Sequence, residues 1–176
     1  MHLDKEVKHE EDKKIGEIFP RVLMCGEPGV GKKSILSFIA SKDQPTNNRH
    51  QTLVSHKGKK LTIEIIENID FALSLLNDKK NEIKGLIYVI DSTDKGNIKI
   101  GKQHLERLIQ CDNFLKIPFL VYTSKLDQKE KSIPPVPILE EIGLGKVSDL
   151  QWYIAAVDNI KGTLIKVGIE WMQQYF

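Results

Sequence analysis

Residues 21–40 join an apolar strand pattern, a glycine-rich turn and an amphipathic helix pattern without a break. The strand is RVLMC at 21–25, the turn is GEPGVGKKS at 26–34, and the helix pattern ILSFIA fills 35–40. The glycines allow backbone N–H groups to turn inward around phosphate oxygens, and the helix adds the positive end of its dipole. An ordinary glycine-rich turn is the alternative, but the flanking strand and helix favour a phosphate-binding loop. We call residues 26–34 the phosphate loop, and it predicts a nucleotide pocket.

One position of the phosphate loop departs from the expected pattern. Lys32 is predicted to reach the β- and γ-phosphates, and the next position normally carries a Ser or Thr whose hydroxyl holds Mg²⁺. Here that position is Lys33, and an ammonium group cannot ligate a cation. The sequence therefore leaves open whether Mg²⁺ is bound. The predicted phosphate-site residues are Glu27, Pro28, Gly29, Val30, Gly31, Lys32, Lys33 and Ser34.

The composition of the whole chain fits one globular domain. Its 176 residues are 40% hydrophobic and 28% charged, and a net charge of +2 is too small to indicate nucleic acid or an anionic membrane. We expect a charged tail at residues 1–18 and a single domain at 19–176. Because no apolar run reaches membrane-spanning length and no signal-peptide pattern occurs, we expect an intracellular protein. Residue 2 is His rather than Gly, so no N-myristoyl anchor is expected.

Strand and helix patterns alternate along the chain, which predicts an α/β fold with a mostly parallel sheet and helices on both faces. A hairpin before residue 66 predicts one antiparallel edge strand, and six strands are predicted in total. Strands are predicted at 21–25, 52–55, 61–66, 85–91, 117–122 and 152–157, and helices at 35–40, 69–81, 98–109, 134–142 and 163–175.

Ligands of such sheets bind at the carboxyl ends of the strands. This arrangement is predicted to bring together residues 26–34, the end of the 61–66 strand, residues 123–127 and residues 158–160. The segment Thr123-Ser124-Lys125-Leu126-Asp127 follows the phosphate loop by about ninety residues. Its Asp127 carboxylate can accept two hydrogen bonds from guanine N1 and N2, and the Lys125 stem can lie over the base. An ordinary charged turn is the alternative, but the spacing favours guanine recognition.

With Gly85–Ser92 (GLIYVIDS) and Trp152-Tyr153-Ile154, these motifs make the chain resemble the Arf/Arl branch of small GTPases, from about residue 21 to residue 171. The resemblance implies a Ras-like P-loop fold, GTP or GDP as ligand, and two switch segments that sense the γ-phosphate. Ser124 replaces the family's base-recognition Asn. The family's second guanine loop falls on Asp158, Asn159 and Ile160, and the backbone N–H of Asn159 is predicted to meet guanine O6.

The switch segments depart furthest from the family. Without a gap, its Asp-x-Gly-Gly-Gln element falls on residues 65–69, which removes the Asp, the γ-phosphate-sensing Gly and the water-positioning Gln. Sliding the element by two residues makes Glu67 the acid but supplies no glycine. Thr46 of Pro45-Thr46 matches the Thr that closes on Mg²⁺, although it fits a turn equally well.

Three functions are compatible with this pattern. The preferred one is a guanine-nucleotide-binding Arf-like protein with weak or absent GTP hydrolysis that acts through protein contacts. The alternative is a pseudo-GTPase subunit of a larger assembly that holds nucleotide statically or binds none. A small P-loop kinase or ATPase is disfavoured because the arginines are not clustered and Asp127 indicates guanine.

Overall fold

The computed structural model describes residues 19–40, 51–78, 80 and 82–176. These residues form a six-stranded sheet in the order β2-β3-β1-β4-β5-β6, in which only the edge strand β2 is antiparallel. The predicted fold class is therefore confirmed. The tail 1–18 and Thr46 lie outside the described residues. The strands are β1 (Arg21–Cys25), β2 (Gln51–His56), β3 (Lys59–Ile66), β4 (Ile83–Asp91), β5 (Phe119–Ser124) and β6 (Trp152–Ala156).

Five α-helices connect these strands or follow them within the described ranges. They are α1 (Lys32–Ile39), α2 (Ile69–Asn77), α3 (Lys95–Leu108), α4 (Pro135–Ile142) and α5 (Ile165–Met172). The longest, α3, has 14 residues, and no helix in the described part of the chain is long and apolar enough to cross a membrane. Short 3-10 turns occupy Phe114–Lys116, Leu144–Lys146 and Gln173–Tyr175.

Several element boundaries differ from the predicted ones because local caps and turns decide them. Helix α3 begins three residues early, since Asp94 Oδ1 accepts hydrogen bonds from the amides of Gly96 at 2.8 Å and Asn97 at 3.2 Å. Helix α5 begins late because Leu164 has a left-handed φ of 64°. Strand β5 begins at residue 119, since Ile117 N bonds back to Phe114 O at 3.2 Å. Propensity and periodicity do not report such contacts.

Alternating side chains of the strands build an apolar core on each face of the sheet. On β1, Leu23 and Cys25 face the core formed with α2, α3 and α4, whereas Val22 and Met24 face the core formed with α1 and α5. Both faces are therefore covered, as expected for a parallel sheet. This packing holds the carboxyl ends of β1, β3, β4, β5 and β6 at one edge, from which the site loops leave.

Candidate nucleotide-binding site

The phosphate loop has a backbone that depends on its glycines. Gly26, Gly29 and Gly31 have φ values of 144°, 80° and 100°, a region that other residues rarely adopt. A Cβ added to Gly26 would also lie 2.5 Å from the carbonyl oxygen of Val89 on β4. Helix α1 begins immediately after the loop, and the amide of Ile35 donates to Gly31 O at 3.0 Å. The loop is therefore shaped to present backbone amides at a helix N-terminus.

Lys32 folds back across the phosphate loop. Its Nζ donates to Gly26 O at 2.6 Å and to Glu27 O at 2.8 Å, and the residue is only 5% exposed. Burial lowers the pKa of Lys32, and the negative charge of Glu67 is the largest influence opposing that shift. Two of the three ammonium donors are engaged by these carbonyls, so the third can meet a phosphate oxygen at the same place.

Among the described residues, a lysine occupies the position of the family's metal-ligating hydroxyl in the phosphate loop. Lys33 is exposed at the position of the hydroxyl ligand, and Ser34 Oγ donates to Asn159 O at 3.0 Å. In the described ranges, no group of three or more His, Cys, Asp or Glu side chains is placed to hold a metal ion. A cavity of about 240 Å³ beside the loop is lined by Gly29, Gly31, Lys32, Lys33, Ser34 and Glu67.

Glu67 is the acid that the structure brings to the phosphate loop. It is the first residue after β3 and lines this cavity, whereas Ile65 lies within β3 and pairs with Met24 of β1. Of the two sequence alignments, the one shifted by two residues thus places an acid at the loop. The next residue, Asn68, already caps α2, with its Oδ1 accepting from Asp70 N at 2.7 Å. Ile69 is 8% exposed and packs in the core.

The side chain of Ser124 is hydrogen-bonded to the backbone of the phosphate loop. The residue is fully buried, and its Oγ donates to Val30 O at 2.7 Å, with Ile90 O at 3.1 Å. Ser92 Oγ in turn donates to Ser124 O at 2.5 Å. The side chain that replaces the family's Asn therefore joins the end of β5 to the loop.

Lys125 forms an ion pair that the sequence did not indicate. Its Nζ lies 2.5 Å from Asp91 Oδ2 at the end of β4, and its backbone is left-handed with φ 64°. Burial opposes ionisation of Asp91, but hydrogen bonds from Lys125 and Thr93 outweigh it and hold the pKa of Asp91 below its usual value. The only available signal was an acid at the end of the neighbouring strand.

Asn159 connects all three loops of the site. Its backbone N–H donates to Asp127 Oδ1 at 3.2 Å, and its Oδ1 accepts from Lys125 N at 2.8 Å. Its carbonyl accepts the hydroxyl of Ser34, and its Nδ2 lies against Gly31, where an added Cβ would be 2.2 Å away. Asp127 and Asn159 are thus brought together as the sequence predicted, but each is bonded to the other.

The remaining residues of the second guanine loop shape its turn. Asp158 Oδ1 accepts from the amides of Ile160 and Lys161, both at 2.8 Å. These hydrogen bonds lead the causes that lower the pKa of the exposed Asp158 carboxyl. The Ile160 side chain is 73% exposed. Asp158 therefore fixes the backbone of this loop, and Ile160 projects into solvent.

Glu27 of the phosphate loop lies near a tyrosine–histidine pair. Tyr88 Oη and His104 Nδ1 are 2.6 Å apart, and His104 Nε2 is 4.0 Å from Glu27 Oε1. Burial lowers the pKa of His104, which favours the neutral ring. If the Tyr88 hydroxyl donates a hydrogen bond to Nδ1 of neutral His104, the ring carries its own proton on Nε2, which faces Glu27. The pair thus connects β4 and α3 to the phosphate loop, and no sequence motif indicated it.

Comparison with known proteins finds Arf-like proteins among those similar to this chain. ADP-ribosylation factor-like protein 3 of Chlamydomonas reinhardtii is 29% identical over 166 residues, which cover 92% of this chain and 92% of that protein. The structure of the Arl6 BBS3 small GTPase from Trypanosoma brucei with bound nucleotide analogue GppNp aligns with a TM-score of 0.71 at 19% identity. That alignment covers 88% of this chain and 95% of the other.

The sequence model of the Arf family, described as the ADP-ribosylation factor family, matches residues 10–176. This range includes every described residue of the site, from the phosphate loop to the loop that carries Asn159. The predicted resemblance to small GTPases is therefore confirmed, and the chain belongs to the ADP-ribosylation factor family, whose members bind guanine nucleotides.

Proposed function

We propose that this Arf-family protein binds a guanine nucleotide, hydrolyses GTP weakly or not at all, and acts through contacts with other proteins. The observation that carries the proposal is the contrast between two neighbouring strand ends. After β1, the phosphate loop keeps its glycine conformation and its folded-back Lys32. After β3, the chain enters α2 at once, through Glu67 and the cap Asn68.

This contrast means that groups for binding a nucleotide are present, whereas groups for hydrolysing GTP are replaced. The phosphate loop supplies amides to the α- and β-phosphates and the Lys32 ammonium group to the β- and γ-phosphates, and Asp127 supplies an acceptor for the base. Hydrolysis additionally requires an oriented water molecule and a group that neutralises charge in the transition state. The water-positioning residue falls on Ile69 without a shift and on Phe71 with the shift of two residues. Ile69 is packed in the core and Phe71 is an exposed apolar ring, so neither side chain supplies these functions.

Lys33 supports a nucleotide site that works without Mg²⁺. Its ammonium stands at the position of the family's metal-ligating hydroxyl and can neutralise phosphate charge there. Glu67 lines the same cavity and places one negative charge beside Lys32 and Lys33. The proposal is therefore that fixed charges of the chain carry part of the role that Mg²⁺ has in other members.

Action through protein contacts is supported by an exposed aromatic side chain on α2. Phe71 is 51% exposed, and it lines a cavity of about 860 Å³ together with Leu36 of α1, Ile65 of β3 and six further residues. Five of the nine lining residues are polar or charged, so the surface is mixed, and an exposed aromatic side chain among polar groups is typical of interaction sites. We propose a protein partner or a larger complex as the occupant.

The test is the identity of the nucleotide that the protein carries through purification. The protein is denatured and the supernatant is separated by chromatography, with the amount of nucleotide expressed per mole of protein. GDP or GTP near one equivalent supports the proposal. Adenine nucleotide in similar amount would overturn the assignment to guanine.

The second candidate function is a pseudo-GTPase subunit that binds no nucleotide or holds one statically. One observation favours it: the polar groups predicted to meet the base already have partners within the chain. Asn159 N donates to Asp127, and Lys125 pairs with Asp91. A purified protein without nucleotide, together with no detectable binding of added GDP, would favour this function over the first.

A further inference from the structure

We propose that Asn159 is a built-in competitor of the guanine base, so that its side chain sets how tightly this protein holds a nucleotide. The inference rests on the proposed binding of guanine nucleotide and names a residue that tunes it. It follows from the position of one side chain between two loops that the base must bridge.

The first observation concerns the two groups predicted to recognise guanine. Asp127 is suited to accept from N1 and N2 of the base, and the amide of Asn159 is suited to donate to O6. In the structure these two groups bond to each other, with Asn159 N 3.2 Å from Asp127 Oδ1. A guanine that uses both must therefore separate them.

The second observation concerns the side chain of Asn159. Its Oδ1 accepts from Lys125 N at 2.8 Å, and its Nδ2 contacts Gly31 so closely that an added Cβ there would lie 2.2 Å from it. The carboxamide thus spans the gap between the phosphate loop and the base-recognition segment. A nucleotide has its phosphates on the first and its base on the second, so it must pass over this gap.

The third observation is that the backbone of Asn159 is fixed independently of its side chain. Ser34 Oγ donates to Asn159 O at 3.0 Å, and the Asp158 carboxylate closes the turn by accepting from the amides of Ile160 and Lys161. Shortening the side chain therefore removes the carboxamide from the gap and leaves the loop in place.

The experiment compares wild type with Asn159→Ala and Asn159→Ser in titrations with GDP and with inorganic pyrophosphate. We expect both variants to bind GDP roughly three- to tenfold more tightly, the equivalent of one hydrogen bond that no longer has to be broken. Affinity for pyrophosphate should not change, because pyrophosphate has no base. Asn113→Ala is the control: its amide also joins two segments, donating to Leu76 O at 2.9 Å, but it lies at the opposite end of the sheet.

The outcomes separate this inference from the proposed function. Wild-type affinity for GDP tests the proposed function, and the difference between the variants and wild type tests the role of Asn159. Unchanged or weaker GDP binding in both variants overturns the inference while leaving the proposed function intact. If only the variants bind GDP, the inference stands and the proposed function of the wild type fails. Absence of GDP binding in all of them overturns both.

Amide hydrogen exchange gives a second readout, since Lys125 N should exchange faster once its acceptor is removed.

Discussion

Lys125 Nζ and Asp91 Oδ2 lie 2.5 Å apart across the adjacent ends of β5 and β4. The pair is largely shielded, with side-chain exposures of 26% and 11%. It joins the base-recognition segment to the start of α3, because the backbone N–H of Asp91 donates to Asn97 Oδ1 at 2.8 Å. The ion pair therefore stabilises the fold and at the same time directs the lysine that is predicted to lie over the base.

The first prediction is that this pair makes the protein sensitive to acid. The pKa of Asp91 is held below its usual value of 3.8, so its contribution is complete above that pH and is lost as the pH falls through the lowered value. Asp91→Asn should lower the free energy of unfolding at pH 7 by about 1–2 kcal/mol. Urea unfolding at several pH values between 7 and 3 measures both effects.

The control for this prediction is Asp149→Asn, which changes an exposed carboxylate before β6. It should leave the free energy of unfolding nearly unchanged at pH 7. The difference between wild type and Asp91→Asn should shrink toward low pH, where the wild-type carboxyl is itself protonated. A difference that stays constant over the whole range would contradict an electrostatic role for Asp91.

The second prediction concerns the choice of base. Asp127→Asn should weaken GDP or GTP binding by about tenfold or more, because an amide cannot accept both guanine donors and brings a donor of its own. The affinity of wild type for ATP should be far lower than for GTP, since adenine would place an acceptor against the carboxylate. Competition titrations with a fluorescent guanine nucleotide measure both. Equal affinity for ATP and GTP would show that Asp127 does not select the base.

The order of strands and helices was predictable because hydrophobic periodicity and glycine positions are local signals. The phosphate loop was predictable for the same reason: its glycines, strand and helix are contiguous in sequence. The bonds of Asn159 to Lys125 and Asp127 were not, since they join loops more than thirty residues apart, and no local pattern reports them. Ser124 was predicted as a base contact, but only the packed structure reveals that it is buried under Val30.

The third prediction is that nucleotide release depends little on magnesium. Lys33 stands at the hydroxyl position, and Ser34 is engaged with Asn159, so removing Mg²⁺ leaves the local charges nearly unchanged. EDTA should change the GDP off-rate by less than about threefold, a free energy under about 0.7 kcal/mol. Lys33→Ser should make release more sensitive to EDTA. A large effect on wild type would indicate that Ser34 leaves Asn159 and takes the ligand position.

The last prediction joins hydrolysis to switching. A shape change driven by GTP requires groups whose contact energy differs between GTP and GDP, and hydrolysis requires an oriented water molecule. Here β3 leads directly into α2, with Asn68 committed to the helix cap and Ile69 to the core.

We therefore expect single-turnover hydrolysis no faster than the unassisted rate of a small GTPase, on the order of 10⁻⁴ s⁻¹. Affinities for GDP and a non-hydrolysable GTP analogue should agree within about threefold, because a ligand group that makes no differential contact shifts no equilibrium. Paired titrations and a phosphate-release assay measure both quantities. Rapid turnover, or a tenfold preference for the triphosphate, would mean that a γ-phosphate sensor lies elsewhere in the chain and would return this protein to the switching members of its family.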